Sequence, residues 1–428
     1  MATVELAQRE PVAQALLRYR GYISGAAIFT CVFLVYLALA PAGEAINHHV
    51  YLAEAMLHGS FDVGAAGMPS GYQDTVPING SVYLPFPPGP AILLLPFVAI
   101  WGTDFSQTQF CAFLGAVNVL LFWQLLAALK VSGRAQALAV LFFAFGTVHF
   151  YCASNGGVWQ YNQIAAVFFL LIAIMLLVKR APLPVVAAAF GFAVISRSPT
   201  LLAAPFFLYY VYRLHSERLT VSGLTKRAWL KDVALFAAGL IPFGVVTLFY
   251  NYARFGDPFT SGYQAVYETY IHSDIKYNYY RSLFPHASHF KLFDPRNIPL
   301  HLQTLFLMPP QVISKFPFFR ASPYGMSILL TSPAFIYALL VKRKTALVPA
   351  SWLAIGLVAS LLFMHYSQGW VQYGYRFLLD FAPFLLILTA FGFDDNATPG
   401  HRRLQVALVT TSVLMGLFGV YSAHTWTT

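Results

Sequence analysis

The sequence predicts an all-α polytopic membrane protein, and three observations carry that prediction. Only 10% of its 428 residues are charged and 58% are hydrophobic, whereas soluble domains carry about 25% charged residues. Apolar runs long enough to cross a bilayer recur along the chain, since roughly 20 helical residues span the hydrocarbon core. Lys and Arg also fall in a topological pattern. If the N-terminus is cytoplasmic, cytoplasmic segments hold most of the 26 basic residues in short loops such as Lys342-Arg343-Lys344, as short non-translocated loops do. The net charge of +10 is therefore a topological signature and predicts no nucleic-acid partner.

In chain order, Arg9, Arg18 and Arg20 precede the first apolar run, 22–40. That run is longer than the roughly 7–15-residue core of a cleaved signal, so an uncleaved first span is expected, with cleavage after Ala38-Leu39-Ala40 as the alternative. The segment 88–102 opens with Pro87-Pro88-Gly89-Pro90. Were it a crossing, Lys130 and Arg134 would face outward, so it is assigned as a re-entrant or interfacial helix. Further spans are expected at 107–129, 135–152, 162–178, 182–196, 199–213, 233–252, 325–341, 346–364, 377–392 and 404–422, about eleven in all. The chain then forms one transmembrane domain, 1–428, with a first outer loop at 41–107 and a long outer loop at 253–324. The long loop is rich in Tyr, Phe and Pro, too apolar for disorder, and is expected to form a compact cap. The cysteines, Cys31, Cys111 and Cys152, have neither disulfide nor metal-ligand spacing.

Candidate chemistry gathers at the outer ends of the spans. At helical spacing Asn47, Tyr51, Glu54 and His58 form one stripe, beside an apolar stripe of Ile46, Val50, Ala53 and Leu57. This pattern predicts a helix lying on the membrane surface, its polar stripe either facing a substrate cavity or simply solvated. The cluster His48, His49, Glu54 and His58 lacks the His-Glu-x-x-His spacing of zinc hydrolases. Asp74, in Tyr72-Gln73-Asp74-Thr75 before the Asn79-Gly80 turn, suits either a turn cap or a general base whose partial desolvation tunes it toward useful values. Three edge stretches follow: HFYCASNGGVWQYNQ (149–163), with Trp159; NYARFGDPFTSGY (251–263), with Arg254; and QGWVQYGYRFLLD (368–380), with Trp370, Gln372 and Arg376. Arg197, in Ser196-Arg197-Ser198-Pro199, adds a cation near the same surface. A guanidinium fork suits a phosphate in a dry site, although Asp380, one turn from Arg376, is a candidate to pair with it.

A first span, an outer loop with an amphipathic helix and an acid, and a Pro-Pro re-entrant helix together resemble the GT-C superfamily of membrane glycosyltransferases. The pattern is most similar to the protein O-mannosyltransferases and the aminoarabinose lipid A transferases, with Phe86-Pro87-Pro88-Gly89-Pro90 standing where relatives carry His/Lys-Pro-Pro. The resemblance implies a GT-C-like bundle with outer juxtamembrane helices, located in a bacterial inner membrane, with its active site facing outward. It implies transfer of a sugar from a polyprenyl-phosphate donor to a hydroxyl on a glycan, lipid or protein, without a cofactor and without metal, since no outward Asp-x-Asp is present. Relatives carry an acidic pair after the first span, where this chain reads Gly43-Glu44-Ala45-Ile46-Asn47-His48. Glu44 fills that role, or Asn47 takes the slot and leaves Asp74 or Glu54 as base, with Asp74 favoured. The Lys near the Pro-Pro segment is also absent. Phosphate binding then falls on Arg376, Arg254 or Arg197, with His48, Asn47, Tyr51, Trp159, Trp370 and Gln372 as further candidates for substrate contact. Two other functions fit the composition: a lipid or oligosaccharide flippase, and an inactive scaffold of the same fold. A transporter should show charges at the midplane of inverted repeats, and here the charges gather at one face.

Overall fold

A computed structural model describes residues 22–41, 46–69, 74–218, 222–268, 291–314, 318–369 and 372–425. Glu44 and Trp370, among the residues singled out above, lie outside this set. The architecture is helical throughout. Helix α1 covers Tyr22–Ala38. It is followed by α2 (His48–Leu57), α3 (Gly89–Trp101), α4 (Gln107–Ala128), α5 (Gly133–Phe145), α6 (Val148–Asn155), α7 (Val158–Val178) and α8 (Leu183–Ser196). The second half holds α9 (Ala204–Arg218), α10 (Ser222–Phe255), α11 (Gly262–Tyr267), α12 (Ile298–Phe306), α13 (Ile328–Thr331), α14 (Leu347–Met364), α15 (Ala382–Asp395) and α16 (Pro399–Thr425). The described strands form two small antiparallel hairpins, β1 (Val76–Ile78) with β2 (Ser81–Tyr83) and β3 (Gln311–Val312) with β4 (Phe319–Arg320). The β1–β2 turn is the expected Asn79-Gly80. Both residues have positive φ, 49° and 85°, the conformation a two-residue primed turn needs.

Among the described residues five helices are long and apolar enough to cross a membrane, and α5 with α6 makes a sixth as a span bent by 49°. Three shorter apolar helices, α1, α3 and α8, accompany them. At 13 residues, α3 is about 20 Å long, which is less than the hydrocarbon thickness and in keeping with a re-entrant segment.

Prolines and serines explain where several expected spans depart from single long helices. The stretch expected as 199–213 begins as a 3-10 coil, Ser198–Ala203, and becomes α-helical only from Ala204, with Pro199 at its start. The stretch 325–341 is not one helix. The single turn α13 ends at Ser332, and Pro333–Leu340 continues as a 3-10 coil, because proline fixes φ and lacks the N–H an α-helix would use. The stretch 377–392 starts as 3-10 over Arg376–Asp380 and restarts at Ala382, with Pro383 in the first turn, where proline is tolerated.

Helix α7 is the axis of the bundle. Of its membrane-length window 72% is buried, against 11% for α10, so α10 lies at the periphery with Ile241, Val245 and Phe249 exposed, as a lipid-facing helix should be. Helix α7 packs against α4 and α8, and α8 packs against α10. In lipid such packing depends on close approach rather than on expulsion of water. Gly416 of α16 shows this, since an added Cβ there would sit 2.0 Å from the Phe145 carbonyl oxygen.

At the end of the bundle bearing the 253–324 segment, backbone bonds tie that segment to the end of α14. Asp294 N–H donates to the Met364 carbonyl (2.8 Å) and Tyr366 N–H to the Leu292 carbonyl (2.9 Å). Asn297 Nδ2 also donates to Met364 O. The loop leaving α14 is thereby held in a defined place, and it forms part of the cavity described next.

Candidate active site

A cavity of about 370 Å³ opens among the N-terminus of α7, the end of α8, α11, the end of α14 and the 365–377 segment. Four residues singled out from sequence line it: Asp74, Trp159, Arg197 and Arg376. Its remaining wall is mixed, with the apolar Val266, Leu361 and Leu362 and the polar Asn162, Tyr263 and His365 among its lining residues.

The positions of these side chains follow from local structure. Trp159 and Asn162 are three residues apart in the first turns of α7 and so share a face. The start of α7 is fixed to α2 by Val158 N–H donating to the Ile46 carbonyl (2.9 Å). It is fixed to α4 by Gln107 Nε2 donating to the Gly156 carbonyl (2.9 Å). Asp74 precedes β1 with φ at 56°, a left-handed conformation that Asp and Asn enter more readily than other side chains. Trp159 Nε1–H donates to Asp74 Oδ2 at 2.6 Å, a short charge-assisted bond. On the opposite wall Gly262 opens α11 with its Cα against Pro85, and an added Cβ would lie 2.2 Å from the Pro85 carbonyl oxygen.

The two cavity arginines differ in electrostatic state. Arg197 is paired. Its Nε donates to Asp380 Oδ1 at 2.9 Å and its Nη2 to Oδ2 at 2.6 Å, while Nη1 donates to the Tyr263 hydroxyl at 3.3 Å. Asp380 therefore pairs with Arg197 and not with Arg376, its neighbour one turn away. Helical proximity favoured Arg376, but the 3-10 path of 376–380 turns the two side chains apart. Arg376 is 6% exposed, its Nε is buried without a hydrogen-bond partner, and its side chain forms no ion pair among the described residues. Its guanidinium lies over two rings, with its carbon 5.0 Å from the Phe377 centroid and 5.8 Å from that of Trp159. Its backbone is clamped on both sides: Gln163 Nε2 donates to Arg376 O (2.9 Å) and Arg376 N–H donates to Gln372 Oε1 (3.3 Å). A buried guanidinium without an ion pair among the described residues is chemically suited to hold an anion.

The other candidates lie elsewhere. Arg254 does not line the cavity. It is buried at the end of α10, donating to the carbonyls of Tyr250 and Leu84 and to Asn251 Oδ1 and stacking on Tyr250 at 3.5 Å, and so fastens the β2 end to α10. Gln372 acts on backbone, donating to Tyr324 O and Gln368 O. Glu54 Oε1 lies 3.5 Å from Nδ1 of His58, the residue that caps its helix, and does not line the cavity. Helix α2 is more deeply packed than its stripe suggested, although Tyr51 and Glu54 are half-buried and Leu57 and His58 exposed. His48, His49, Val50, Leu52, Ala53 and Ala55 are all buried, because α3 and the α4–α7 junction cover it. Asn47 is buried with its Oδ1 unpartnered, and so are both ring nitrogens of His49. Tyr51 is half-buried, and His48 packs edge-on against Phe86. These residues form a polar layer behind the cavity. No group of three or more metal-ligating side chains is assembled among the described residues.

Sequence reasoning passed over Tyr263, Asn162 and His365. The first two lay inside quoted stretches, where tyrosines at membrane edges are usually interface residues, and His365 carried no motif. Burial lowers the His365 imidazole to about 3, so it is neutral at physiological pH. A histidine lowered in this way contributes stability that is fully present above its unfolded value near 6.5 and is lost as pH falls from there toward 3. The melting temperature in detergent should therefore fall between pH 6.5 and 4.5, and His365→Asn should flatten that slope. An unchanged slope would remove His365 from the account.

No protein-family model and no curated protein sequence matches the chain. Among solved structures it is similar to the crystal structure of ArnT from Cupriavidus metallidurans bound to undecaprenyl phosphate, at 14% identity and a TM-score of 0.47, over 90% of this chain. The chain spans 62% of that protein's length.

Proposed function

We propose that the protein is a glycosyltransferase taking a sugar from a polyprenyl-phosphate donor and passing it to a hydroxyl of a glycan, lipid or protein at the outer face of the membrane. One observation supports this reading above the rest. A carboxylate, Asp74, and a buried guanidinium without an ion pair among the described residues, Arg376, line the same cavity, whose lining also includes the apolar Val266, Leu361 and Leu362.

In the proposed step Asp74 accepts the proton of the acceptor hydroxyl as the hydroxyl oxygen bonds to the anomeric carbon. The bond from that carbon to the phosphate oxygen breaks, its electron pair leaves with the phosphate, and the configuration inverts. Charge grows on the departing lipid phosphate, and Arg376, already desolvated and fixed through its backbone, stabilises it more in the transition state than in the donor. Arg197 is neutralised by Asp380 and shapes the wall instead. No metal enters this scheme.

The test is release of undecaprenyl phosphate from a panel of undecaprenyl-phosphate-linked hexoses and pentoses by the purified protein in membranes. Asp74→Asn should lower the rate about 100-fold or more, within the 10²–10⁴ range of general-base contributions, with the melting temperature preserved. Retained turnover in Asp74→Asn would reject it as the base.

A further inference from the structure

Helix α12 is inside out for a helix that covers a bundle in water. Its polar side chains are the buried ones. His301 and Thr304 are fully buried. The His301 ring nitrogens are in hydrogen-bonding contact with the Tyr375 hydroxyl and the His365 carbonyl, both at 2.8 Å, and Thr304 Oγ1 donates to the Leu300 carbonyl. Leu302 and Phe306, one turn apart, are exposed, and Leu307 at the helix end is 73% exposed. A water-facing helix shows the opposite arrangement. After Met308-Pro309-Pro310 the β3–β4 hairpin continues in the same manner, with Val312, Phe318 and Phe319 exposed. From Asn297 to Ser314 the sequence has no Asp, Glu, Lys or Arg, whereas Arg296, Lys315 and Arg320 flank that stretch.

We propose that α12 and the β3–β4 hairpin form a lipid anchor, lying in the headgroup region of the leaflet on the side of the 253–324 segment. Both are fastened to bundle elements whose own outer faces are apolar. Ser327 N–H donates to the Met308 carbonyl at 2.9 Å and Ser327 Oγ to the Phe306 carbonyl at 2.7 Å. Directly after Ser327 come the exposed Leu329 and Leu330, then Ile336 and Leu339. At the hairpin, Ala321 N–H donates to Ser422 Oγ at 3.3 Å, near the end of α16, where Leu414, Leu417 and Tyr421 are exposed. Such faces meet lipid in a membrane bundle, and the exposed side chains of α12 and the hairpin continue them. In water this surface would be an unfavourable apolar patch. At a bilayer surface its burial is the binding force, and flanking Arg and Lys reach back to the phosphates. The acid at that end, Asp294, is paired with Arg296 at 2.7 Å, so its charge is compensated.

The anchor gives the cavity a fixed depth. Residues just before α12 bond to the segment leaving α14, through Asp294 and Asn297 to Met364 and through Leu292 to Tyr366. Phe293, Leu362, His365 and Tyr366 line the cavity. A stretch expected from sequence to cap the bundle therefore holds one rim of the cavity at the level of the headgroups. The partner is the bilayer itself, and the inference is independent of the transferase reading.

Spin labels in nanodiscs test the anchor on a Cys31→Ala background, because Cys31 is exposed while Cys111 and Cys152 are buried. Labels on Leu302→Cys, Leu307→Cys and Val312→Cys should collide more with oxygen than with a water-soluble nickel chelate. Their depth should be roughly 5–10 Å into the headgroup and acyl boundary. Phe249→Cys, on the exposed face of α10, and Lys344→Cys, in a polar loop, give the lipid and aqueous references. Collision behaviour matching Lys344→Cys overturns the anchor. Labels screened from both reagents overturn it too, and would mean that a protein partner or a second copy covers this face. A second measurement needs no label. In nanodiscs Leu307→Asp should lower the melting temperature, because a charge is costly there, whereas Leu307→Trp, suited to an interface, should not. On a water-facing surface Leu307→Asp would be close to neutral. An unchanged melting temperature in Leu307→Asp, or an equal loss in both variants, rejects the lipid contact.

Discussion

Arg376→Gln should weaken binding of undecaprenyl phosphate by roughly 10–100-fold, the worth of one or two charged hydrogen bonds at about 1.5–3 kcal/mol each, and at the same time raise the melting temperature of the ligand-free protein by about 2 °C. The two changes share one cause. Arg376 is buried with an unpartnered Nε and, among the described residues, no carboxylate on its guanidinium, so its burial carries a desolvation cost that an anion would relieve. Gln removes that cost and the anion's partner together. Calorimetric binding and thermal unfolding on the same preparation check both halves. A variant that loses stability and keeps affinity would mean that Arg376 is a structural cation, and the anion site would have to be sought elsewhere.

Arg197→Leu should do the reverse. Its carboxylate partner Asp380 is fully buried and receives three hydrogen-bond contacts from the guanidinium. Deleting one member of a buried pair costs about 3–5 kcal/mol, because the other charge is left unpaired, whereas replacing both by apolar groups is often close to neutral. Arg197→Leu and Asp380→Leu should each lower the melting temperature markedly, and Arg197→Leu/Asp380→Leu should recover most of the loss. A double variant as unstable as either single one would show that Arg197 contributes through Tyr263 or through substrate, not through Asp380. Two arginines on one cavity wall are thus expected to respond with opposite signs, and the difference is entirely one of counter-ion.

Much of the helical order was readable from the chain, because lipid permits few solutions: apolar length and basic loops mark helices whatever their neighbours. Where expectation and structure part, at 199–213, 325–341 and 377–392, the prolines were visible, but their effect depended on which neighbouring groups could satisfy the freed backbone. The site was legible in a different measure. Asp74, Trp159, Arg197 and Arg376 were each singled out by residue type and position near a span end. Their pairing was not, since Arg197 and Asp380 are 183 residues apart and Trp159 and Asp74 are 85 apart. No local periodicity relates residues so distant. The polar stripe of α2 misled for a related reason. A helical wheel shows which residues share a face, but not how far neighbouring helices cover it, as they cover Asn47 and His48.

The left-handed backbone at Asp74 has a consequence for how this position tolerates change. With φ at 56°, the residues that hold the turn at least cost are Gly, Asn and Asp, and of these only Asp carries a carboxylate. In a saturation library screened first for folding and then for turnover, Asn and Gly should survive the first screen and fail the second. Glu, although it keeps the charge, should be penalised in both, because a longer side chain on an unsuited backbone cannot reach the indole in the same way. Position 74 would then have no conservative replacement, and the fold itself would restrict the acid to a single amino acid.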